Sequence, residues 1–379
     1  MRKVFAFGLM FFSSVSLASS VPTLYGTVNV EYLQVDQEDK FMTTSGAGVY
    51  NVRNAESRIG ARGVHELDAF DVGYHLELGI DSTTKGGGSH PGVSGRIRIR
   101  LAYANVSGAW GTLTMGQDTT ATSAVQYSYD PLSNTSLGVA SFAQSELIQG
   151  ASFDDTDVSN VDFGLGMMFR TRRDVLKYQT PSFHGLTWTV SMDRDDDSDV
   201  RHNEGGDTHY ENLLSYSREF SGLDMTLQVG NITWSNVETK DENIWMYGLR
   251  LGHESGLAAS FLYTTEEYDR KVGIELASIE ITRMLATLSY KWGQNLVALT
   301  YANRDTENPL RSDENTVSSV AADKFTSSQI ALGYKYFASD NIEFKATIGQ
   351  YKHEEDDAAL AQTNDNKATI AALGMALSF

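Results

Sequence analysis

The chain contains no cysteine and only 5 prolines among its 379 residues. Without cysteine there is no disulfide framework, so the fold must be held by its core or by backbone pairing. Few prolines suit long strands, because proline cannot donate a hydrogen bond to a sheet ladder. After the first twenty residues there is also no run of 18 or more apolar residues. This absence excludes a membrane protein built from helices.

Basic residues are scarce as well. The 30 lysines and arginines are outnumbered by 49 acidic residues, which gives a net charge of −19, and an acidic chain of this kind does not bind nucleic acid by bulk electrostatics. Acidic runs such as DRDDDSD at 193–199 are usually solvated loops. Divalent-cation bridging to anionic lipid headgroups is the alternative. The stretch 193–204 lacks the turn glycine of a calcium loop, and we expect no metal and no cofactor.

The first twenty residues have the pattern of a secretory signal peptide. A basic start at Arg2 and Lys3 precedes a short apolar stretch, and small residues allow cleavage after Ala18 or Ser20. The apolar stretch is too short to span a bilayer. We therefore expect residues 1–20 to be removed and residues 21–379 to form a single exported domain.

The stretch GRIRIRLAYANV at 95–106 alternates strictly. Arg96, Arg98 and Arg100 share one parity. Apolar side chains take the other parity: Ile97, Ile99, Leu101 and Tyr103. A period of two predicts a β-strand with two different faces. The apolar face could pack on the core of a soluble sheet, or it could contact lipid while the arginines face a water-filled lumen.

Similar alternation over about ten residues recurs along the chain and predicts an all-β fold of sixteen strands. The predicted strands are 24–36, 56–66, 71–82, 94–106, 109–117, 170–180, 185–194, 208–220, 223–234, 243–254, 256–267, 279–292, 295–305, 325–338, 341–352 and 367–379. Their connections alternate between very short and long, and the long ones include 37–55, 268–278, 306–324 and 118–169. Outer-membrane barrels have this arrangement, with short periplasmic turns and long extracellular loops.

The cost of placing charge in lipid determines which face of the strand at 95–106 contacts lipid and which faces the lumen. An arginine facing lipid near the bilayer midplane costs roughly 2–4 kcal/mol. We therefore predict that the arginines face the lumen and that Ile97, Ile99, Leu101 and Tyr103 face lipid. Aromatic residues near the short turns predict an interfacial girdle: Trp110, Trp188, Phe220, Trp292 and Phe337. The last strand ends on Phe379, as in barrels whose assembly machinery reads a C-terminal aromatic residue.

Several stretches resemble, in order, segments of the Gram-negative general-diffusion porin family: TLYGTVNVEY (23–32), SRIGARGVHEL (57–67), RLAYANVSGAWGTLTMGQD (100–118) and RRDVLKYQTPSFHGL (172–186). The resemblance covers essentially the whole mature chain. It implies a homotrimer of sixteen-stranded antiparallel transmembrane β-barrels in the outer membrane of a Gram-negative bacterium. It also implies contacts with outer-membrane lipid, lipopolysaccharide and the barrel assembly machinery.

The family folds its third extracellular loop, here 118–169, into the barrel to narrow the pore, with acidic residues on the loop opposite a basic wall. Carried onto this chain, the resemblance implies a basic wall of Arg58, Arg62, Arg98, Arg100 and Arg173. The candidate acids are Asp118, Asp130, Glu146, Asp154 and Asp155. Many members have Gly-Arg where this chain has Gly116-Gln117, and the usual motif at the loop tip is missing. Which acids line the pore is therefore left open.

The function implied is passive diffusion of ions and small hydrophilic solutes. A solute-specific porin, for oligosaccharides for instance, is the main alternative, and a soluble β-protein such as a lectin is a further one. A barrel enzyme needs a positioned nucleophile or acid–histidine pair, and the eight histidines are scattered. The net charge favours cations at the mouth while the basic wall favours anions locally, with the balance leaning towards cations.

Overall fold

The computed structural model describes residues 21–37, 46–51, 57–80, 97–139, 165, 172–195, 207–235, 242–272, 275–307, 310–313, 316–320, 324–356 and 366–379. The predicted signal peptide lies outside these residues, as do Glu146, Asp154 and Asp155. One short helix, α1 at Val125–Tyr129, lies in these ranges. Within the same ranges no helix is long and apolar enough to cross a membrane.

The rest of the regular structure is β-strand. The first nine strands are β1 Thr23–Gln37, β2 Gly46–Asn51, β3 Ser57–Glu66, β4 Asp71–Ile80, β5 Ile97–Gly108, β6 Gly111–Asp118, β7 Arg173–Gln179, β8 Leu186–Asp195 and β9 Asp207–Phe220. The others are β10 Leu223–Ser235, β11 Glu242–His253, β12 Leu257–Val272, β13 Glu275–Trp292, β14 Asn295–Glu307, β15 Leu310–Asp313, β16 Thr316–Val320, β17 Lys324–Ser339, β18 Ile342–Asp356 and β19 Asn366–Ser378.

These strands form a closed antiparallel barrel. The chain of pairings runs through neighbouring strands, and β1 pairs with β19 to close it. Strands β2 and β3 pair with successive parts of β1, so together they count as one strand of the barrel wall. Strands β15 and β16 form a separate hairpin. The barrel wall therefore has sixteen strands, as the alternation predicts. Closure of the barrel leaves it without sheet edges.

Main-chain bonds seal the closing seam beside the C-terminus. The Gly26 N–H donates to the Phe379 carbonyl oxygen, and the Phe379 N–H donates to the Gly26 carbonyl oxygen, both at 3.0 Å. A Cβ on Gly26 would lie 2.3 Å from the Phe379 ring. Glycine is therefore needed at position 26, because the terminal ring lies directly over its backbone.

Side chains alternate between an apolar outer face and a lumen face. On β1, Leu24 is 72 % exposed and Tyr32 50 %, whereas Asn29 is 1 % exposed. Trp110, Trp188, Phe220 and Trp292 are exposed near the short turns, as the girdle prediction requires. Phe337 is different, and for it the prediction is wrong. It lies opposite Glu343, whose carboxylate contacts Asn134 inside the barrel.

Seven short connections lie at one rim of the barrel, together with the start of β1 and the end of β19. These turns are 67–70, 109–110, 180–185, 221–222, 254–256, 293–294 and 340–341. The predicted long loops are wrong in three places, because each contains strand: 37–55 holds β2, 306–324 holds β15 and β16, and 268–278 is shortened to two residues by the extension of β12 and β13. Antiparallel pairing continues past the apolar stretch in these places, and hydrophobic alternation alone does not report it.

A bulge in β5 changes the faces predicted for 95–106. Leu78 lies opposite Ile99, but Glu77 lies opposite Leu101, so Arg100 is an extra residue in β5. An extra residue reverses the parity of the rest of the strand. Ile97 and Ile99 are exposed on the outside as predicted. Tyr103 instead faces the lumen, where its hydroxyl lies 3.1 Å from His75 Nδ1, and Leu101 shares the face of Glu77.

Candidate functional site

The described part of the third long connection, L3 (residues 119–172), begins inside the barrel. The Ala121 N–H donates to Ser191 Oγ on β8 at 2.9 Å. The Thr122 N–H and hydroxyl both donate to Glu211 Oε2 on β9, at 2.9 and 2.7 Å. The buried Glu211 carboxylate thus holds the first turn of L3 against the wall.

Further along, L3 continues round the same side of the lumen. The Ser260 hydroxyl of β12 donates to the Tyr129 carbonyl oxygen at 2.5 Å. The Gln329 amide of β17 donates to the Leu137 carbonyl oxygen at 2.7 Å. Residues 129–134 are therefore inside the barrel, and the described part of L3 follows the wall from β8 to β17.

A buried polar cluster fixes the far part of L3 around Asn134. Its side-chain oxygen accepts from Lys335 Nζ, and its amide nitrogen donates to Glu343 at 3.1 Å. Its carbonyl oxygen accepts from Lys345 Nζ and from the Asn29 amide, the latter at 3.2 Å. Charge-assisted bonds of this kind are stronger than neutral ones. This cluster ties L3 to β1, β17 and β18.

Apolar packing holds further described residues of L3. Val125, Tyr129 and Val139 pack in one buried cluster with side chains of the wall: Ile244, Met246, Leu262 and Leu285. Wall glycines make the space. A Cβ on Gly248 would lie 2.4 Å from the Tyr129 hydroxyl oxygen, and one on Gly333 would lie 2.3 Å from a methyl carbon of Leu132. L3 is thus seated on the wall from β9 to β18, which leaves the wall from β3 to β7 on the other side of the lumen.

Asp130 braces L3 from within. It is buried, and its two carboxylate oxygens accept the N–H groups of Leu132 at 2.8 Å and Val139 at 2.7 Å. Burial raises the pKa of this carboxyl, whereas the two N–H donors and the charge of Lys335 lower it. The predicted lining role of Asp130 does not fit this geometry, because its carboxylate is bonded inside the loop.

On the opposite wall the predicted arginines come together. Arg58, Gly79 and Arg98 occupy one cross-strand row of β3, β4 and β5. Arg62 lies on the same face of β3 as Arg58 and is exposed, with its guanidinium carbon 5.5 Å from the centre of the Tyr25 ring. Because glycine lies between Arg58 and Arg98, no side chain separates the two guanidinium groups within the row.

Arg100 is buried and pairs with Glu77, an acid that the predicted wall and loop do not include. Its Nε donates to Glu77 Oε1 at 2.6 Å, and Arg58 Nε lies 3.5 Å from Glu77 Oε2. Glu77 lies in the stretch HLELGI between exposed Leu76 and Leu78. That alternation is the available signal, because an acid between two lipid-facing residues must face the lumen.

Arg173 and Asp118 lie opposite each other on β7 and β6. The Asp118 carboxylate accepts from Lys177 Nζ at 2.6 Å, and Lys177 also donates to the Thr119 carbonyl oxygen at 2.8 Å. This lysine is another lumen residue absent from the predicted wall. The basic wall is defined here as the lumen face of β3–β7 with Arg58, Arg62, Arg98, Arg100, Arg173 and Lys177, and the acids between them are Glu77 and Asp118.

Comparison with known proteins agrees with this architecture. The model of one protein family, Gram-negative porin, matches residues 6–356. The chain belongs to this family. It is also similar in fold to the anion-selective porin of Comamonas acidovorans, at a TM-score of 0.65 and 20 % identity, over 95 % of this chain and 99 % of that one. The trimer form of OmpT from Vibrio cholerae aligns with a TM-score of 0.55 at 12 % identity, over 93 % and 99 % of the two chains.

One curated relative matches part of this porin. The chitoporin of Vibrio furnissii is 28 % identical over 207 residues, which are 54 % of this chain. The porin thus covers about half, 48 %, of that relative's length. The family and the barrel fold together make the protein an outer-membrane β-barrel of a Gram-negative bacterium, and in such barrels the short turns face the periplasm.

Proposed function

We propose that this porin forms a water-filled channel through which ions and small hydrophilic solutes diffuse passively, and that the channel is narrowest between L3 and the basic wall. The observation that supports this most directly is the placement of L3. The loop is bonded to one side of the lumen, while six basic side chains line the other. A barrel of sixteen strands is wide enough to hold water beside such a loop.

The basic wall is proposed to act on charge. Arg58, Arg62, Arg98, Arg100 and Arg173 produce a local positive potential in a confined channel, where solutes cannot avoid it. Asp118 offsets part of this potential beside Lys177. The predicted acids Glu146, Asp154 and Asp155 lie outside the described residues, and their role at the constriction stays a prediction.

The partners are proposed from the family and from the sequence. We expect a homotrimer, as in the trimer form of OmpT. Phe379 is proposed as the signal that the barrel assembly machinery reads, because its ring lies at the exposed periplasmic end of the last strand. The acidic loops are proposed to meet lipopolysaccharide through divalent cations.

A solute-specific channel is the second candidate. It is favoured by the similarity to a chitoporin, which concerns about half of that protein. In such a channel a chitin oligosaccharide would block the ion current at low concentration and in a saturable way.

Liposome swelling separates the two candidates. Purified protein is reconstituted in liposomes, and swelling is followed in iso-osmotic neutral sugars of increasing size and in chitin oligosaccharides. Rates that fall smoothly with size support general diffusion. Uptake of chitin oligosaccharides faster than that of neutral sugars of equal size supports the second candidate. No swelling with folded, inserted protein would contradict both.

A further inference from the structure

We propose that Glu77 is a selectivity-determining residue of this channel: its carboxylate partly neutralises the basic wall and so limits the preference of the channel for anions. The proposal rests on the proposed function, since selectivity has meaning only in an open channel. Glu77 is on β4, in the middle of the wall formed by β3, β4 and β5. No acid on L3 is needed for the effect.

The Glu77 carboxylate binds two arginines from two different strands. Arg100 of β5 donates to one oxygen at 2.6 Å, and Arg58 of β3 lies 3.5 Å from the other. Arg100 and Glu77 are almost fully buried, whereas the Arg58 side chain is 31 % exposed. Solvent screens a buried pair little. The negative charge is therefore fixed beneath Arg58, close to the channel water.

The bulge in β5 leaves Arg100 on the lumen face and brings its neighbour there as well. Arg98 and Arg100 share a parity, so a regular strand would already point Arg100 into the lumen. Because Arg100 is the extra residue, Leu101 lies opposite Glu77 and also turns to the lumen. Arg100 therefore lies beside Glu77, and this carboxylate supplies the acid that lets the arginine be buried.

A chain of hydrogen bonds fixes the carboxylate from the other side. Tyr25 donates its single hydroxyl proton to Glu77 Oε2 at 2.6 Å, and its oxygen lies 2.5 Å from His75 Nε2. His75 must then donate Nε2–H to Tyr25, since the tyrosine proton is already used. In the neutral ring Nδ1 accepts from Tyr103 at 3.1 Å. The position of the charge is therefore set by side chains from β1, β4 and β5.

Among the described lumen positions of β3–β5, Glu77 is the only carboxylate at the level of the arginines. The two other carboxylates described on these strands are Glu66 and Asp71, which lie opposite each other beside the short turn 67–70. Asp71 is on the same strand and the same face as Glu77, six residues away, which is roughly 20 Å. It therefore provides a matched control for the loss of one negative charge.

The experiment measures the reversal potential of purified channels in a planar bilayer with a KCl gradient. Glu77→Gln keeps the size of the side chain and a hydrogen-bonding carbonyl but removes the charge. With screening by salt, one unit charge about 7 Å away alters the concentration of each ion roughly 1.5-fold, in opposite directions for chloride and potassium, so their ratio changes about two- to threefold. We expect E77Q to raise the chloride-to-potassium permeability ratio by about that factor, and E77D, which keeps the charge, to remain near the native ratio.

The control D71N should shift the ratio by a much smaller factor. Equal shifts in E77Q and D71N would overturn the proposal, because selectivity would then follow total charge and not this position. An unchanged ratio in E77Q would overturn it as well. The shift should shrink at molar salt, where screening is strong, and a purely structural disturbance would not depend on salt in this way.

A second variant tests the same pair if E77Q does not fold. Arg100→Gln removes the cation that Glu77 neutralises and should shift the ratio towards potassium. No shift in folded R100Q would overturn the proposal. Absence of any conductance in the folded native protein would be a failure of the proposed function. Native conductance with insensitive variants would be a failure of this inference alone.

Discussion

At the scale of single residues, the charges of the lumen are mostly fixed in pairs. Arg100 is bound by Glu77, Lys177 is bound by Asp118, and the Asp130 carboxylate is used by two backbone N–H groups. Each pairing offsets part of the cost of burying a charge. The electric field in the channel therefore depends on the net charge that remains after this pairing. A count of the charged residues in the sequence does not give that net charge.

The double variant R58A/R100A tests the basic wall at this scale. It removes two positive charges and leaves Glu77 without its cations, so the channel should become more selective for potassium. Two charges at about 7 Å predict a change of roughly five- to tenfold in the permeability ratio. The reversal potential in a KCl gradient measures it. A ratio equal to that of the native protein would contradict the assignment of the wall.

The sequence predicts which arginines share a wall, because alternation reports the face of a strand. It does not report the bulge at Arg100, since an extra residue leaves the local composition unchanged while reversing everything after it. Alternation alone places Tyr103 against lipid for that reason. An acid on a loop usually faces water, so the sequence favours a position for Asp130 in the channel. The fold of L3 instead brings the N–H groups of Leu132 and Val139 to its carboxylate, and the sequence does not report this fold.

At the scale of elements, the position of L3 depends on space as much as on bonds. Gly248 and Gly333 leave room for Tyr129 and Leu132 of L3. A glycine inside a strand indicates a close approach of another group, so the sequence contains a signal for the seat of L3. It cannot identify the approaching side chain, because the partners are more than a hundred residues apart along the chain.

Gly248→Val tests this seat. Its side chain would occupy the space of the Tyr129 hydroxyl, and overpacking of this kind costs typically about 1–3 kcal/mol. We expect L3 to be displaced from the wall, with a lower conductance and frequent brief closures in single-channel records.

The matched control is Gly252→Val, on the same strand and face. A Cβ there meets only the Asp224 Cβ at 3.9 Å, an ordinary contact. G252V should behave like the native channel. If G248V also keeps the native conductance without extra closures, the proposed seat of L3 is wrong.

At the scale of the whole molecule, the seam between β1 and β19 decides whether a barrel exists. Main-chain bonds at Gly26 close it, and the Phe379 ring covers that glycine from outside while remaining 69 % exposed. The sixteen strands of the barrel wall and the closure of the barrel could be predicted from alternation and turn spacing. The extensions of β12 and β13 beyond the apolar region could not, since polar strands outside lipid have no hydrophobic period.

Phe379→Ala tests the assembly role of the terminal residue. It removes the ring but keeps the main-chain bonds to Gly26, so the assembled barrel should lose no more than about 1 kcal/mol of stability. Assembly in cells should fall sharply, seen as less protein with the faster mobility of a folded barrel on unheated gels. Normal levels of folded protein in the outer membrane would contradict the role of Phe379 as a signal.

The central claim is that the barrel is an open trimeric channel narrowed by L3 and the basic wall. The most direct test is single-channel recording of detergent-purified protein in a planar bilayer with a KCl gradient. The account predicts large conductance steps that close in three equal levels at high voltage, with a reversal potential that responds to substitutions in the basic wall. No conductance from protein that is demonstrably folded and inserted would contradict it.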